Sequence, residues 1–464
     1  MRTLRTRVPL IAASAFVLLA LAVRPKAQPD VMAALHEKID RAAAQVMSKV
    51  IAWRRDFHQH PELGNREVRT SAVIAEHLRS LGIEVRANLA HTGVVAVLRG
   101  ARPGRVVALR ADMDALPVTE DLDLPFKSTV RTQYEGREVG VMHACGHDAH
   151  MSMLMGAAEI LAGLKSDLPG TVVFLFQPAE EGPPAGEEGG AELMIKEGAL
   201  DQPKVDAVFG LHVFPFEAGG IRFRPRGIMA AGDTLTITVR GRQTHGALPW
   251  DGVDPIVVAS QIVLGLQTII SRQVNLTTAP AVVTIGKIEG GNRSNIIPDE
   301  VSMQGTIRTF DPAMQKQIHE RVRQTATKIA EAAGASAEVK ITTGNPVTFN
   351  DPELTARMTP SLKRVAAAEF DSNTPALTTS EDFSLYQQKV PGVFFFLGIT
   401  PKGADPASVA ANHSPRFFVD ESALVTGVRA LASLAVDYLS GPGAGNASCP
   451  ASSSENRDPS AGCG

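Results

Sequence analysis

The sequence predicts an α/β protein of two domains, a helix-covered mixed sheet with a second, smaller sheet module inserted into it. Three observations carry this. From about Asp30 to Arg226, amphipathic helical stretches alternate with short apolar runs, the pattern of a sheet covered by helices on both faces. From Ala231 the order changes to strand, helix, strand, strand, helix, strand, which is the βαββαβ order of a ferredoxin-like module. After about Asn345 the mixed helix and strand pattern returns, so the first domain is discontinuous in sequence.

The elements follow in order. Val31 to Phe57 carries apolar residues at helical spacing, and Arg69 to Leu81 forms a second helix closed by Gly82. Val94 to Arg99 and Arg105 to Arg110 read as strands, His150 to Leu164 as a helix, and Thr171 to Phe176 as a buried strand stopped by Pro178. Val205 to Phe209 is a further apolar run. In the insert, Asp233 to Arg240 alternates, with Leu235, Ile237 and Val239 on one side and threonines on the other. Asp254 to Ser271 is a helix, Ala281 to Ile288 and Val301 to Thr309 are strands, Pro312 to Ala333 is a helix and Ala337 to Thr343 a strand. Asp351 to Phe370, Gly392 to Leu397 and Glu421 to Leu439 complete the first domain. The expected divisions are 1–27 for a targeting segment, 28–226 and 345–440 for the discontinuous domain, 227–344 for the insert and 441–464 for a tail.

With 464 residues, 44% hydrophobic and 20% charged, the chain can bury a large core. A net charge of −3 argues for neither nucleic acid nor an anionic membrane as partner. Three cysteines exclude a disulfide-built scaffold. Arg2, Arg5 and Arg7 precede the apolar Val8 to Val23, which is short for a membrane span, and Ala27 offers a small residue for cleavage. The expectation is a cleaved export signal and a periplasmic or secreted location, with an uncleaved anchor as the alternative. The Gly-, Ser- and Pro-rich tail is expected to be disordered, and its Cys449 and Cys463 either pair in an oxidising compartment or stay free.

The chemistry concentrates in His143-Ala144-Cys145-Gly146-His147-Asp148-Ala149-His150. If this stretch is extended or gently turned, Cys145 and His147 share a side and form a two-ligand arm for a borderline-soft divalent metal. The blander reading is a helix start with incidental histidines. Past the Thr171 strand comes the pair Glu180-Glu181, at the place where open α/β sheets put their sites. One carboxylate of such a pair can bind a metal while the other takes a proton from water. Single histidines recur at expected strand ends, His212 and His413. With Cys145, His147 and Glu181 they make five ligands, more than one tetrahedral ion uses, and a pair of ions sharing ligands accounts for the number. In the insert, His245, Asn295 and Arg308 are the polar candidates for holding an oxyanion and a carboxylate.

These motifs, in this order, resemble the metal-dependent aminoacylase and carboxypeptidase family, in particular its amidohydrolase branch with the hippurate hydrolases and plant auxin-conjugate hydrolases. The resemblance runs from about Trp53 to Leu439. It rests on Arg110 to Pro117, the His143 to His150 cluster, Gln177 to Glu181, Gly210-Leu211-His212, His245-Gly246-Ala247, Asn295 to Pro298, Ser380 to Phe383 and His413-Ser414-Pro415. It implies the same five ligands, Glu180 as general base, and Asp114 as a residue that orients a ligand. It implies that the insert is a lid and dimerisation domain whose His245 reaches the site, often of a partner subunit, and that Arg308 holds a substrate carboxylate. Two divalent ions per subunit are expected, Zn²⁺ or Mn²⁺, with Co²⁺ or Ni²⁺ fitting the same ligands. The expected reaction is hydrolysis of an N-acyl amino acid, with a carboxypeptidase or dipeptidase on small peptides as the alternative. A cysteine hydrolase using Cys145 and a non-catalytic binding protein are more distant readings. The stretch from Gly182 to Gly190 is longer than in many relatives, and it is expected to alter access to the site or its charge.

Overall fold

The computed structural model describes residues 31–405 and 408–441. The expected targeting segment, Cys449 and Cys463 lie outside these residues.

The main lobe is built on an eight-stranded mixed sheet. In sheet order its strands are Glu84–Leu89, Gly93–Arg99, Pro169–Gln177, Arg102–Asp112, Ala207–Glu217, Gly392–Thr400, Ile221–Arg222 and Phe370–Asp371. The four strands from Pro169–Gln177 to Gly392–Thr400 run parallel, and antiparallel strands flank them. All nine residues of Gly392–Thr400 are buried, so both faces of the sheet are covered at its centre. Helices Val31–Gln59, His147–Gly163 and Leu424–Ser440 pack on one another, and the last two also pack on the Arg102–Asp112 strand.

The insert forms a separate four-stranded antiparallel sheet in the order Ala281–Gly290, Glu300–Thr309, Ala231–Arg240, Ser336–Thr343. Leu235, Ile237 and Val239 point into its own core, where they meet Ile262, Met303, Ile318 and Val322. Both of its helices start on an Asp-Pro pair. Asp254 accepts hydrogen bonds from the Ile256 and Val257 amides, and Asp311 from that of Met314, while Pro255 and Pro312 occupy a first-turn position that needs no donor. At the junction of the two units, Arg226–Met229 pairs antiparallel with Thr348–Asn350, so the chain leaves and re-enters the main lobe side by side.

The strands Glu84–Leu89 and Ile221–Arg222 of the main sheet and the paired Thr244–His245 and Ile296–Ile297 of the insert were not expected, and two expected elements shift. The helix expected from His150 starts at His147, and His212 lies inside the Ala207–Glu217 strand rather than past its end. In the second case parallel pairing with Gly392–Thr400 continues well beyond Phe209, through the His212–Phe396 register. The pairing partner, 184 residues on (396 − 212), decides the strand's length.

Candidate metal centre and active site

The C-terminal ends of the parallel strands converge on one side of the sheet and carry the predicted residues to one place. The Arg102–Asp112 strand delivers Asp112 and then Asp114, and the Pro169–Gln177 strand leads into Glu180 and Glu181. His413 enters from the segment after Gly392–Thr400, tied by its amide to the Ala144 carbonyl at 2.8 Å.

Cys145 and His147 do converge, but not as alternate residues of an extended arm. Gly146 between them has φ 93° in the left-handed region, and a Cβ there would run into the Val213 side chain. Glycine alone allows the chain to turn from Cys145 directly into the helix that begins at His147. Cys145, His147 and His212 each offer one ligand atom within 4.8 Å of the others. Cys145, Glu181 and His413 make a second such group, and His147, Glu180 and Glu181 a third. The five predicted ligands therefore form two overlapping sets that share Cys145.

The histidines are held ready to ligate. A carbonyl can only accept, so His147 donates from Nδ1 to the Asp114 carbonyl at 2.7 Å, and its buried Nε2 has no hydrogen-bond partner among the described residues. His212 likewise donates from Nδ1 to the Val213 carbonyl at 2.8 Å, which leaves its Nε2 3.3 Å from Cys145 Sγ. His413 Nε2 lies 3.1 Å from Glu181 Oε1. Burial opposes a charge on His147, yet the Asp112 and Asp114 carboxylates, with Glu181, outweigh it and raise its pKa to about 10. Burial, followed by Glu181 and Glu180, pushes the Cys145 thiol well up. The protein groups alone thus leave a surplus of negative charge, which cations relieve. The donor set fits divalent metal.

Asp114 organises this centre with both ends of its residue. Its carbonyl takes His147, and its carboxylate accepts the Glu180 amide on Oδ1 and the Glu181 amide on Oδ2, each at 3.0 Å. Glu180 is partly exposed, lining a cleft of about 610 Å³ with Glu181, Glu187, Glu192, Asn345 and Leu385. Burial, then Glu381, Glu181 and Asp382, hold its carboxyl well above the ordinary carboxylate range, against the pull of Arg110. The long loop after Glu181 forms one wall of this cleft. It is tied down where Glu187 accepts from Arg66 and Asn65, and where Glu188 pairs with Lys196.

Two buried charge networks went unread in the sequence. Arg110, fully buried, donates to Gln177, Asp112, Glu381 and Asp382, and Asp382 in turn accepts from Gln177 and the Ala191 amide. The two acids of Ser380 to Phe383, Glu381 and Asp382, lock the ends of the Arg102–Asp112 and Pro169–Gln177 strands together. On the other side, Arg54 Nε lies 2.9 Å and His58 Nδ1 2.8 Å from Asp148 Oδ2, and His58 Nε2 lies 3.3 Å from Glu120. Asp148 stays well below the usual range, because Arg54 and His58 outweigh its burial. A signal existed. Arg54 stands four residues after Val50 and three before Phe57, on the buried face of an amphipathic helix where a charge demands a partner.

The insert's candidates sit apart from the ligand groups. His245 is exposed in a two-residue strand paired with Ile296–Ile297, its Nδ1 accepting from the Ala247 amide at 3.0 Å, and it belongs to none of the groups among the described residues. Asn295 holds the Gly246 amide with its carbonyl at 2.8 Å. Arg308 lies across the strand from Gly232, its guanidinium over that glycine and on the same side as Ser380.

The model of peptidase family M20/M25/M40 matches residues 108–437. Thermostable carboxypeptidase 1 of Saccharolobus solfataricus is 39% identical over 407 residues, covering 87% of this chain and 99% of its own. The N-acetyl-L-cysteine deacetylase of Bacillus subtilis is 39% identical over 379 residues, covering 81% and 85%. The crystal structure of the Bacillus subtilis YXEP protein, described as a dinuclear metal binding peptidase of family M20, superposes with a TM-score of 0.71 at 35% identity, covering 85% of this chain and 99% of that one. With the centre built as above, the chain belongs to peptidase family M20/M25/M40 and is a metal-dependent hydrolase of amide or peptide bonds.

Proposed function

We propose that this protein uses two divalent ions, Zn²⁺ or Mn²⁺ in the first place, to hydrolyse the amide bond of N-acyl amino acids. The observation that carries the reading is the placement of Glu180 beside the ligand sets, among His147 and Glu181, as a residue that also lines the cleft. Cys145, His147, Glu181, His212 and His413 would hold the ions. Once bound, divalent ions there lower the pKa of water toward ~7 and polarise a carbonyl.

Glu180 takes one proton from the attacking water as its oxygen bonds to the amide carbon. The same carboxyl then delivers that proton to the nitrogen as the C–N bond breaks, leaving an amine and a carboxylic acid, whose remaining proton from the water passes to solvent. Asp114 fixes the Glu180 amide, and so the direction from which its side chain reaches the water. His245 is proposed to meet the oxyanion from a partner subunit, and Arg308 to hold a substrate carboxylate. The insert supports a homodimer: Val257 and Leu264 on its Pro255–Thr268 helix and Ile288 on its edge strand are large apolar residues left more than half exposed. The basic and apolar start of the sequence supports a periplasmic or secreted location. The thiol-nucleophile alternative is disfavoured, because a nucleophilic cysteine needs a lowered pKa and Cys145 is pushed the other way.

The deacetylase relative supports the N-acyl amino acid reading and the carboxypeptidase relative supports peptides. Amine release from a panel of N-acetyl and N-benzoyl amino acids and free dipeptides decides between them. The proposal expects the highest kcat/KM on an acylated amino acid; a higher value on an unblocked dipeptide would replace it with a dipeptidase.

A further inference from the structure

We propose that Glu67 is a positioning residue for the reaction, a buried carboxylate that holds the turn bearing Glu180 and Glu181 in its strained conformation. The inference rests on the hydrolase reading above.

Ala179 has φ 50°, in the left-handed region that a residue with a Cβ disfavours. Such a residue stays there only if its surroundings over-determine it. Here the Ala179 amide donates to Glu67 Oε1 at 2.9 Å, and the next two amides donate to the two oxygens of Asp114. Three consecutive N–H groups are therefore aimed at two buried carboxylates, which fixes the peptide planes leading into Glu180 and Glu181. Remove the first anchor and the strain at Ala179 can relax by turning the plane that precedes the base.

Glu67 is itself well placed for this. It is fully buried immediately before the Val68–Ser80 helix, and its Oε2 accepts from the Thr92 hydroxyl at 2.6 Å. The segment around it lies directly against the turn: a Cβ on Gly64 would come to 3.0 Å from the Gly182 carbonyl and 3.1 Å from Ala179 Cβ. The hydrogen bonds of Glu67 are with an amide and a hydroxyl rather than a cation, so its oxygens serve as fixed acceptors. It belongs to no ligand group and faces no proton transfer in the mechanism. Burial, with the nearby Asp114 carboxylate, pushes its pKa up to about 7, so a neutral carboxamide is a close mimic.

The test compares Glu67→Met, Glu67→Gln and Thr92→Val in the full chain loaded with metal, by kcat, KM and metal content. Glu67→Met is expected to lose roughly a hundredfold in kcat, the scale of a displacement of about 1 Å at a reacting group, with KM and metal content unchanged. Glu67→Gln keeps the acceptor for Ala179 and is expected to retain most of kcat, with Thr92→Val between the two. An equally active Met variant would overturn the proposal, as would a Gln variant as damaged as Met, or a Met variant that loses metal and substrate affinity in step with kcat. Should Glu67→Met not fold, Thr92→Val decides: lowered kcat at full metal content supports the role, and wild-type kcat overturns it. An inactive wild type would overturn the hydrolase reading and this role with it, whereas an active wild type with an equally active Met variant overturns this role alone.

Discussion

Glu180→Gln is expected to lower kcat by about 10²–10⁴-fold, the range that a positioned acid–base group supplies, while the protein keeps its metals. The substitution preserves shape and leaves the five proposed ligands, Cys145, His147, Glu181, His212 and His413, unchanged. What it removes is the only step assigned to Glu180, accepting a proton and returning it. KM is expected to change little, because the loss falls on the transition state. The pH profile gives a second reading of the same group. Without ions its carboxyl is held above the ordinary range by burial and then by Glu381, Glu181 and Asp382, and a general base acts in its ionised form, which disappears as pH falls through its pKa. Wild-type kcat/KM is therefore expected to drop on the acid side, and the residual activity of the Gln variant to lose that limb. Steady-state kinetics with metal analysis checks both points, and near-wild-type turnover would remove Glu180 from the mechanism.

Cys145→Ser is the second large effect. Cys145 is the one residue shared by the set with His147 and His212 and the set with Glu181 and His413. A serine hydroxyl gives up its proton far less readily than a thiol, and the burial and carboxylates that push the thiol up act on the alkoxide as well. The loss in metal affinity is expected to exceed the roughly 10–100-fold that even the partners of metal ligands cost. Dialysed Cys145→Ser should be nearly inactive and should regain part of its turnover in excess metal. A nucleophile cannot be restored in that way, so failure of any metal concentration to restore activity, in a folded variant, would favour the thiol mechanism.

How far the sequence discloses this centre depends on the kind of signal each residue leaves. The four long strands and two helices of the insert were legible, because alternation in 233–240 and the Asp-Pro starts at 254 and 311 are local signals of strand and helix, whereas the paired two-residue strands Thr244–His245 and Ile296–Ile297 were not. Cys145, His147, Glu181, His212 and His413 were legible as residue types with metal chemistry, and the structure gathers them across the whole parallel sheet. The turn at Gly146 was not, since a single left-handed glycine leaves no periodic pattern in so short a stretch. The length of the His212 strand was fixed by a partner strand far along the chain, beyond any local pattern. Least legible were the buried charges. Arg110 finds Glu381 and Asp382 at 271 and 272 residues' distance, and Glu67 finds Ala179 at 112. Their positions in strand or helix can be read from periodicity, but their partners are a property of the fold.

The measurement that bears most directly on the account is amine release by protein stripped of metal and then titrated with one divalent ion, with bound ions counted per chain. The account predicts negligible activity in the stripped protein and a rise that saturates at two ions per chain. Full turnover by protein shown to hold no metal would contradict it.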